Sequence, residues 1–255
     1  MLVVIHSDEK GVADYAYEFV CRKLEGSKNF VMGLASGGTI LRLFCKMVDG
    51  FAGGELDFSN VHTFNLDEYV GLKPDHPQSY AYFMGVHLFG LVNLKEENIH
   101  FLSGVAESVE GHCHHYEKQI KEVGGIDLQI LGIGRNGHIG FNEPTSSLAS
   151  RTRMVTLTQD TILDNQRFFP SNEDVPRRAL TMGVGTILEA KEVLLLATGP
   201  EKSQALAAMI EGPVTAMCPA SALQMHPSVT VVCDEAAAQR LIFTEYYDKV
   251  IDNEK

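Results

Sequence analysis

Short runs of apolar, often β-branched residues alternate with longer segments of helical period along almost the whole chain. Runs at 2–5, 30–34, 61–66, 127–132, 193–197 and 229–233 predict strands. They are nearly continuous in apolar positions, as strands covered on both faces are. Segments 9–24, 39–48, 79–92, 109–123, 201–210 and 235–250 read as helices. On the last, Ala236, Arg240 and Phe243 to Tyr247 fall at spacings that suit one buried stripe.

Such alternation predicts an α/β fold: a single Rossmann-like domain over residues 1–255 with a mostly parallel central sheet flanked by helices. No Pro/Gly/Ser-rich linker and no internal repeat divides the chain. Residues 146–178 are more polar and weakly patterned, and the part at about 151–178 is expected to serve as a lid.

Composition narrows the functional classes. At 255 residues and 45% hydrophobic, the chain can bury a core without disulfides or metal clips. Its 21 Lys+Arg against 33 Asp+Glu give a net charge of −12, the wrong sign for a general nucleic-acid surface. A small local cluster of positive groups could still hold one phosphate. The four-residue apolar run after Met1 is short for a signal peptide, and no stretch approaches the roughly 18 apolar residues of a membrane span. The five cysteines are scattered and spell neither a disulfide framework nor a zinc ribbon. The expectation is a soluble cytoplasmic protein without nucleic-acid or membrane partners.

The candidate chemistry lies where predicted strands end. After 30–34 comes Gly33-Leu34-Ala35-Ser36-Gly37-Gly38-Thr39, then a helix. Convergent backbone N–H groups, two hydroxyls and a helix N-terminus suit an anion such as a phosphomonoester. The segment lacks the Lys of a P-loop, which argues against nucleoside triphosphates. Gly132, Gly134 and Gly137 spell a dinucleotide fingerprint but run into His138-Ile139-Gly140-Phe141-Asn142-Glu143-Pro144 rather than into a helix. At the end of 61–66, Asp67 and Glu68 should point in different directions and take different roles. Asn136, His138 and Glu143 follow the strand at 127–132, and a His beside a carboxylate can move protons near neutral pH. The tract His112-Cys113-His114-His115 resembles a metal site, but its amphipathic helical setting favours a structural role.

Taken together, GLASGGT, NLDEYVGL, LGIGRNGHIGFNEP, SSLASRTR, ALTMGVGTILEAKEV and HPSVTVVCDE, spread in order over about residues 30–235, resemble the glucosamine-6-phosphate deaminase (isomerase) family. The resemblance implies conversion of D-glucosamine 6-phosphate and water to D-fructose 6-phosphate and ammonia, in amino-sugar (N-acetylglucosamine) catabolism, with no cofactor and no metal. By the same resemblance Asp67 is the base that moves a proton from carbon 2 to carbon 1. His138 opens the pyranose ring and Glu143 orients it. Ser36, Gly37, Gly38 and Thr39 bind phosphate together with the cations Arg167 and Lys202.

Two positions depart from the family pattern. Asn136 stands where many members carry Asp, leaving Glu143 as the sole acidic partner of His138. Ser146 and Arg153 match an effector site for N-acetylglucosamine 6-phosphate, but Val155 replaces its Lys, and Tyr246 and Tyr247 align ambiguously with its C-terminal Tyr. Allosteric activation is therefore doubtful and oligomeric state stays open, a homo-oligomer included. The rival readings are a 6-phosphogluconolactonase-like hydrolase, whose motif runs on through a GHTASLFP-like stretch and lacks Glu143, and a sugar-phosphate sensor without turnover.

Overall fold

The computed structural model describes residues 1–253 apart from 168 and 171–173. In chain order the strands are β1 (Leu2–His6), β2 (Phe30–Leu34), β3 (Val61–Asn65), β4 (Asp67–Tyr69), β5 (Ile99–His100), β6 (Leu128–Gly132), β7 (Arg153–Thr156), β8 (Arg178–Thr181), β9 (Glu192–Ala197) and β10 (Val229–Asp234). The α-helices are α1 (Glu9–Leu24), α2 (Gly38–Ala52), α3 (Tyr80–His87), α4 (Val109–Glu122), α5 (Gln159–Gln166), α6 (Val184–Ile187), α7 (Ser203–Ile210), α8 (Glu235–Ala238) and α9 (Thr244–Asn253).

Seven strands form one sheet in the order β1-β10-β9-β6-β2-β3-β5, and every neighbouring pair is parallel. All five residues of β2 are buried, which explains the unbroken apolar run in the sequence. Helices cover the sheet, and Phe44 of α2 and Tyr116 of α4 are fully buried among its side chains. The Tyr116 hydroxyl donates to the Asn65 carbonyl at 2.6 Å, so its burial leaves no polar group unpaired. This is a single α/β domain of the Rossmann-like class.

Strand order sets the place of the site. From β2 the chain works outward through β3 to β5; from β6 it works the other way through β9 to β10. The carboxyl ends of β2 and β6 therefore flank the switch point where open parallel sheets take their ligands.

A second, antiparallel sheet, β4-β8-β7, has no counterpart in the sequence reading. At the end of β3, Leu66 donates to the Leu34 carbonyl at 3.0 Å and accepts from the Met182 amide at 2.7 Å. The chain then leaves the large sheet, and Asp67 pairs with Thr181 in the small one.

The segment 146–178, read as irregular, supplies β7 and α5 and reaches the start of β8. Phe168 and residues 171–173 of the expected lid lie outside the described residues. The helix expected over 79–92 ends at His87 and is followed by a 3-10 turn at Phe89–Leu91. The helix expected over 235–250 is two helices. Glu211 accepts the amide N–H groups of Ile242 and Phe243, each at 3.0 Å, and the Tyr247 hydroxyl at 2.9 Å, so a distant carboxylate redirects the chain between α8 and α9. The expected buried stripe fails with it: Arg240, Phe243 and Tyr246 are exposed, and Leu241 is the buried residue there.

Candidate active site

Among the described residues, α1, α3, α4 and α5 each begin with a side-chain cap, from Asp8, Ser79, Ser108 and Thr158. The 15-residue α2 does not: Gly37 precedes it with no side chain to cap, and its first turn carries no acidic residue. Its first amides are open to an anion, backed by the positive end of the helix dipole. Gly37 holds a φ of 129°, a left-handed conformation that favours glycine. Behind the loop, the hydroxyls of Thr39 and Thr198 meet at 3.1 Å and tie α2 to the end of β9.

One cavity of about 250 Å³ opens at this helix end. It takes in Ser36, Gly37, Gly38 and Thr39, and also Asp67, His138, Arg167 and Lys202, residues scattered over 167 positions of sequence. Lys202 sits on a 3-10 turn after β9. Burial lowers its pKa, helped by the nearby cations Arg135 and Arg167 and opposed by Glu201 and Asp164. A crowded set of cations beside an uncapped helix is an electrostatic environment suited to an anion.

Asp67 and Glu68 do diverge. Glu68 turns inward and accepts three backbone amides, from Tyr69 at 2.8 Å, Tyr80 at 3.1 Å and Ala81 at 3.0 Å, which fixes the start of α3. Burial raises its pKa against the pull of those amides. Asp67 lines the cavity, is almost wholly buried, and is pushed up to about 8 by that burial and by the charge of Glu68. A carboxylate this reluctant to ionise is a much stronger base than an exposed one.

His138 enters from the loop after β6. Gly134 is required there, because a Cβ on it would run into the imidazole ring. His138 Nδ1 lies 3.5 Å from Glu143 Oε2, a long contact. Glu143 in turn accepts the Asn136 amide at 2.8 Å, the Thr158 hydroxyl at 3.1 Å and the Thr161 hydroxyl. Burial alone would raise its pKa, but His138, Thr161 and Asn136 outweigh it and hold it at about 2. Asn136 also accepts the backbone N–H of His138 at 3.2 Å. Neither Asn136 nor Glu143 lines the first cavity; both meet the loop that carries His138. Thr181 links the two halves: its backbone pairs with Asp67 and its hydroxyl accepts the Phe141 amide at 3.0 Å.

Sequence reasoning missed several of these groups. Tyr80 and Phe141 wall the cavity, and their apolar positions gave no sign of it. Thr158 and Thr161 were hidden in the segment read as irregular, although a Thr followed by an acidic first turn, here Asp160, is a helix-start signal. The histidine tract shows no metal geometry: His112 accepts the Ser103 amide at 2.8 Å and Cys113 packs into the core. Among the described residues no three His, Cys, Asp or Glu are placed to hold a metal ion, and no helix is long and apolar enough to cross a membrane. Ser146 and Arg153 do meet, at 3.3 Å, with Val155 two positions further along β7.

Known proteins match this arrangement over nearly the whole chain. The profile of glucosamine-6-phosphate isomerases/6-phosphogluconolactonase matches residues 7–232. A glucosamine-6-phosphate deaminase of Thermoanaerobacter pseudethanolicus is 50% identical over 238 residues, 93% of this chain and 94% of the relative. One from Hahella chejuensis is 50% identical over 247 residues, 97% and 94% of the two chains. The solved structure of a monomeric glucosamine-6-phosphate deaminase superposes with a TM-score of 0.92 at 40% identity, covering 94% of this chain and all of that one. A 6-phosphogluconolactonase from Trypanosoma cruzi, at 19% identity, TM-score 0.73 and 94% and 97% coverage, shares the fold. The chain belongs to the glucosamine-6-phosphate isomerase/6-phosphogluconolactonase family.

Proposed function

We propose that this protein is a glucosamine-6-phosphate deaminase, converting D-glucosamine 6-phosphate and water to D-fructose 6-phosphate and ammonia. The observation that carries the reading is a shared cavity: a buried carboxylate that holds its proton to about pH 8 and a carboxylate-backed imidazole face the same space as an uncapped helix N-terminus. The half-identical deaminases support it, as does Glu143, the residue that separates this motif from the lactonase one.

In this reading the phosphate sits on the amides of Gly37, Gly38 and Thr39 and the hydroxyl of Ser36, with Arg167 and Lys202 as counter-charges. Binding there, remote from the reacting carbons, orients the sugar. His138 passes the anomeric hydroxyl proton to the ring oxygen and frees the open-chain aldehyde. Asp67, in its ionised form, takes the proton from carbon 2 as water gives one to the aldehyde oxygen, forming an enolamine between carbons 1 and 2, and then returns its proton to carbon 1. The resulting imine at carbon 2 adds water and expels ammonia, leaving the ketose. Glu143 holds the imidazole and gives it a counter-charge while it carries the proton, and Asn136 orients Glu143 and the His138 backbone. Residues 151–178, which bring Arg167 and the Thr161–Glu143 contact, serve as the lid that excludes water.

The experiment is direct. Mix the full chain with glucosamine 6-phosphate, with and without a chelator, and measure ammonia and fructose 6-phosphate. Equal amounts of the two products, indifferent to chelator, are expected. Hydrolysis of 6-phosphogluconolactone in place of deamination would overturn the reading, as would binding without ammonia release. With Val155 in place of an effector-pairing Lys, kinetics are expected to be hyperbolic and unresponsive to N-acetylglucosamine 6-phosphate.

A further inference from the structure

Arg135 occupies the turn between β6 and His138, beside the switch point of the sheet, and lines the cavity together with Gly37, Thr39 and Lys202. It also borders a second cavity, of about 540 Å³, that Asn136 and His138 line with it. Its guanidinium reaches Asp164 of α5 at 3.2 Å, and both side chains are substantially solvated, at 58% and 44% exposure. An ion pair with both ends in water is weak and readily exchanged. Arg135 and Asp164 lie close enough to Lys202 to act on its charge with opposite signs. A planar guanidinium can present two parallel donors to phosphate oxygens, which a dianion rewards more than a single carboxylate does.

We propose that Arg135 is a third cation for the phosphate end of the substrate, and that it exchanges the Asp164 carboxylate for phosphate when the cavity fills. The proposal rests on the sugar-phosphate reading above and extends it. Asp164 is then a built-in competitor for the ligand: it holds Arg135 at the cavity mouth while the site is empty, and it lies on α5, so the exchange also alters how that helix is tethered.

The two residues must therefore have opposite effects. Titrate inorganic phosphate calorimetrically, at low ionic strength, into the full chain, Arg135→Gln and Asp164→Asn. Arg135→Gln is expected to weaken phosphate binding about tenfold, the loss of one charge-assisted contact. Asp164→Asn is expected to tighten it about two- to threefold by freeing the guanidinium. The double variant should bind like Arg135→Gln alone, and KM for glucosamine 6-phosphate should follow the same order. Equal affinities in all four proteins, or a weakening in both single variants, would overturn the proposal. The same order of phosphate affinities, found with a wild-type chain that deaminates nothing, would sink the functional reading and leave the Arg135 assignment standing. A wild-type chain that binds no phosphate would overturn the Arg135 assignment, and the deamination assay would decide the functional reading by itself.

Discussion

Asn136 donates its amide to Glu143 Oε2 at 2.8 Å and accepts the backbone N–H of His138 at 3.2 Å, so one neutral side chain joins the imidazole loop to its carboxylate. An Asp at this position would set two carboxylates against each other at that distance, and they would ionise only with difficulty together. Asn136→Asp should change the pH profile of kcat/KM, since it sets a second carboxylate against Glu143. It should also cost about 1 kcal/mol of stability through the lost donor. A pH–rate profile that overlays the wild type would contradict this account of Asn136.

Asp67 places a second demand on pH. Its carboxyl titrates at about 8 when folded, against an ordinary value of 3.8, so the folded chain holds a proton that the unfolded chain has released. The stability tied to that proton is complete below about pH 4, declines as pH rises, and is gone above about 8. Asp67→Asn removes the penalty. Its melting temperature should exceed that of the wild type by several degrees at pH 8 and match it at pH 4, as thermal scans across that range would read. A constant offset at all pH values would show that Asp67 is not a buried acid of this kind.

Glu143 has the opposite sign. Held at about 2, it stabilises the fold above its ordinary value of 4.5, and that contribution fades as pH falls toward 2. Glu143→Gln should lower kcat about a hundredfold, because the imidazolium loses its anion. Its stability deficit should be largest near neutral pH and vanish in acid. A variant that turns over at the wild-type rate would remove Glu143 from the mechanism.

The lid reading predicts a ligand-dependent protease pattern. Arg167 lies within 151–178 and lines the cavity, so bound phosphate should slow tryptic cleavage after it about tenfold or more. Cleavage there that ignores phosphate would contradict a lid.

How much of this was legible beforehand depended on what kind of physics set each feature. The strands at 30–34 and 128–132 and the helix at 9–24 announce themselves because burial on both faces, or on one face, writes a period into the sequence. The glycines around Gly37 and Gly134 were legible because backbone geometry and close approach admit little else. The two-residue strand β5 and the four-residue β7 and β8 are too short to carry a period, and their pairing is settled by distant partners such as Asp67 against Thr181. The break between α8 and α9 belongs to Glu211, some thirty positions away, so no local pattern could show it. Arg135 was equally silent: its meaning comes from Asp164 and Lys202, which only the fold brings near.

The central claim is that Asp67 performs the proton transfer in a cavity whose grip on phosphate does not depend on it. The measurement that tests it most directly reads binding and chemistry on the same Asp67→Asn protein: affinity for glucosamine 6-phosphate by calorimetry, and loss of the carbon-2 hydrogen together with ammonia release by NMR. The account predicts binding within a few-fold of wild type and both chemical signals reduced about a hundredfold or more. Carbon-2 hydrogen loss and ammonia release at near wild-type rates would contradict it.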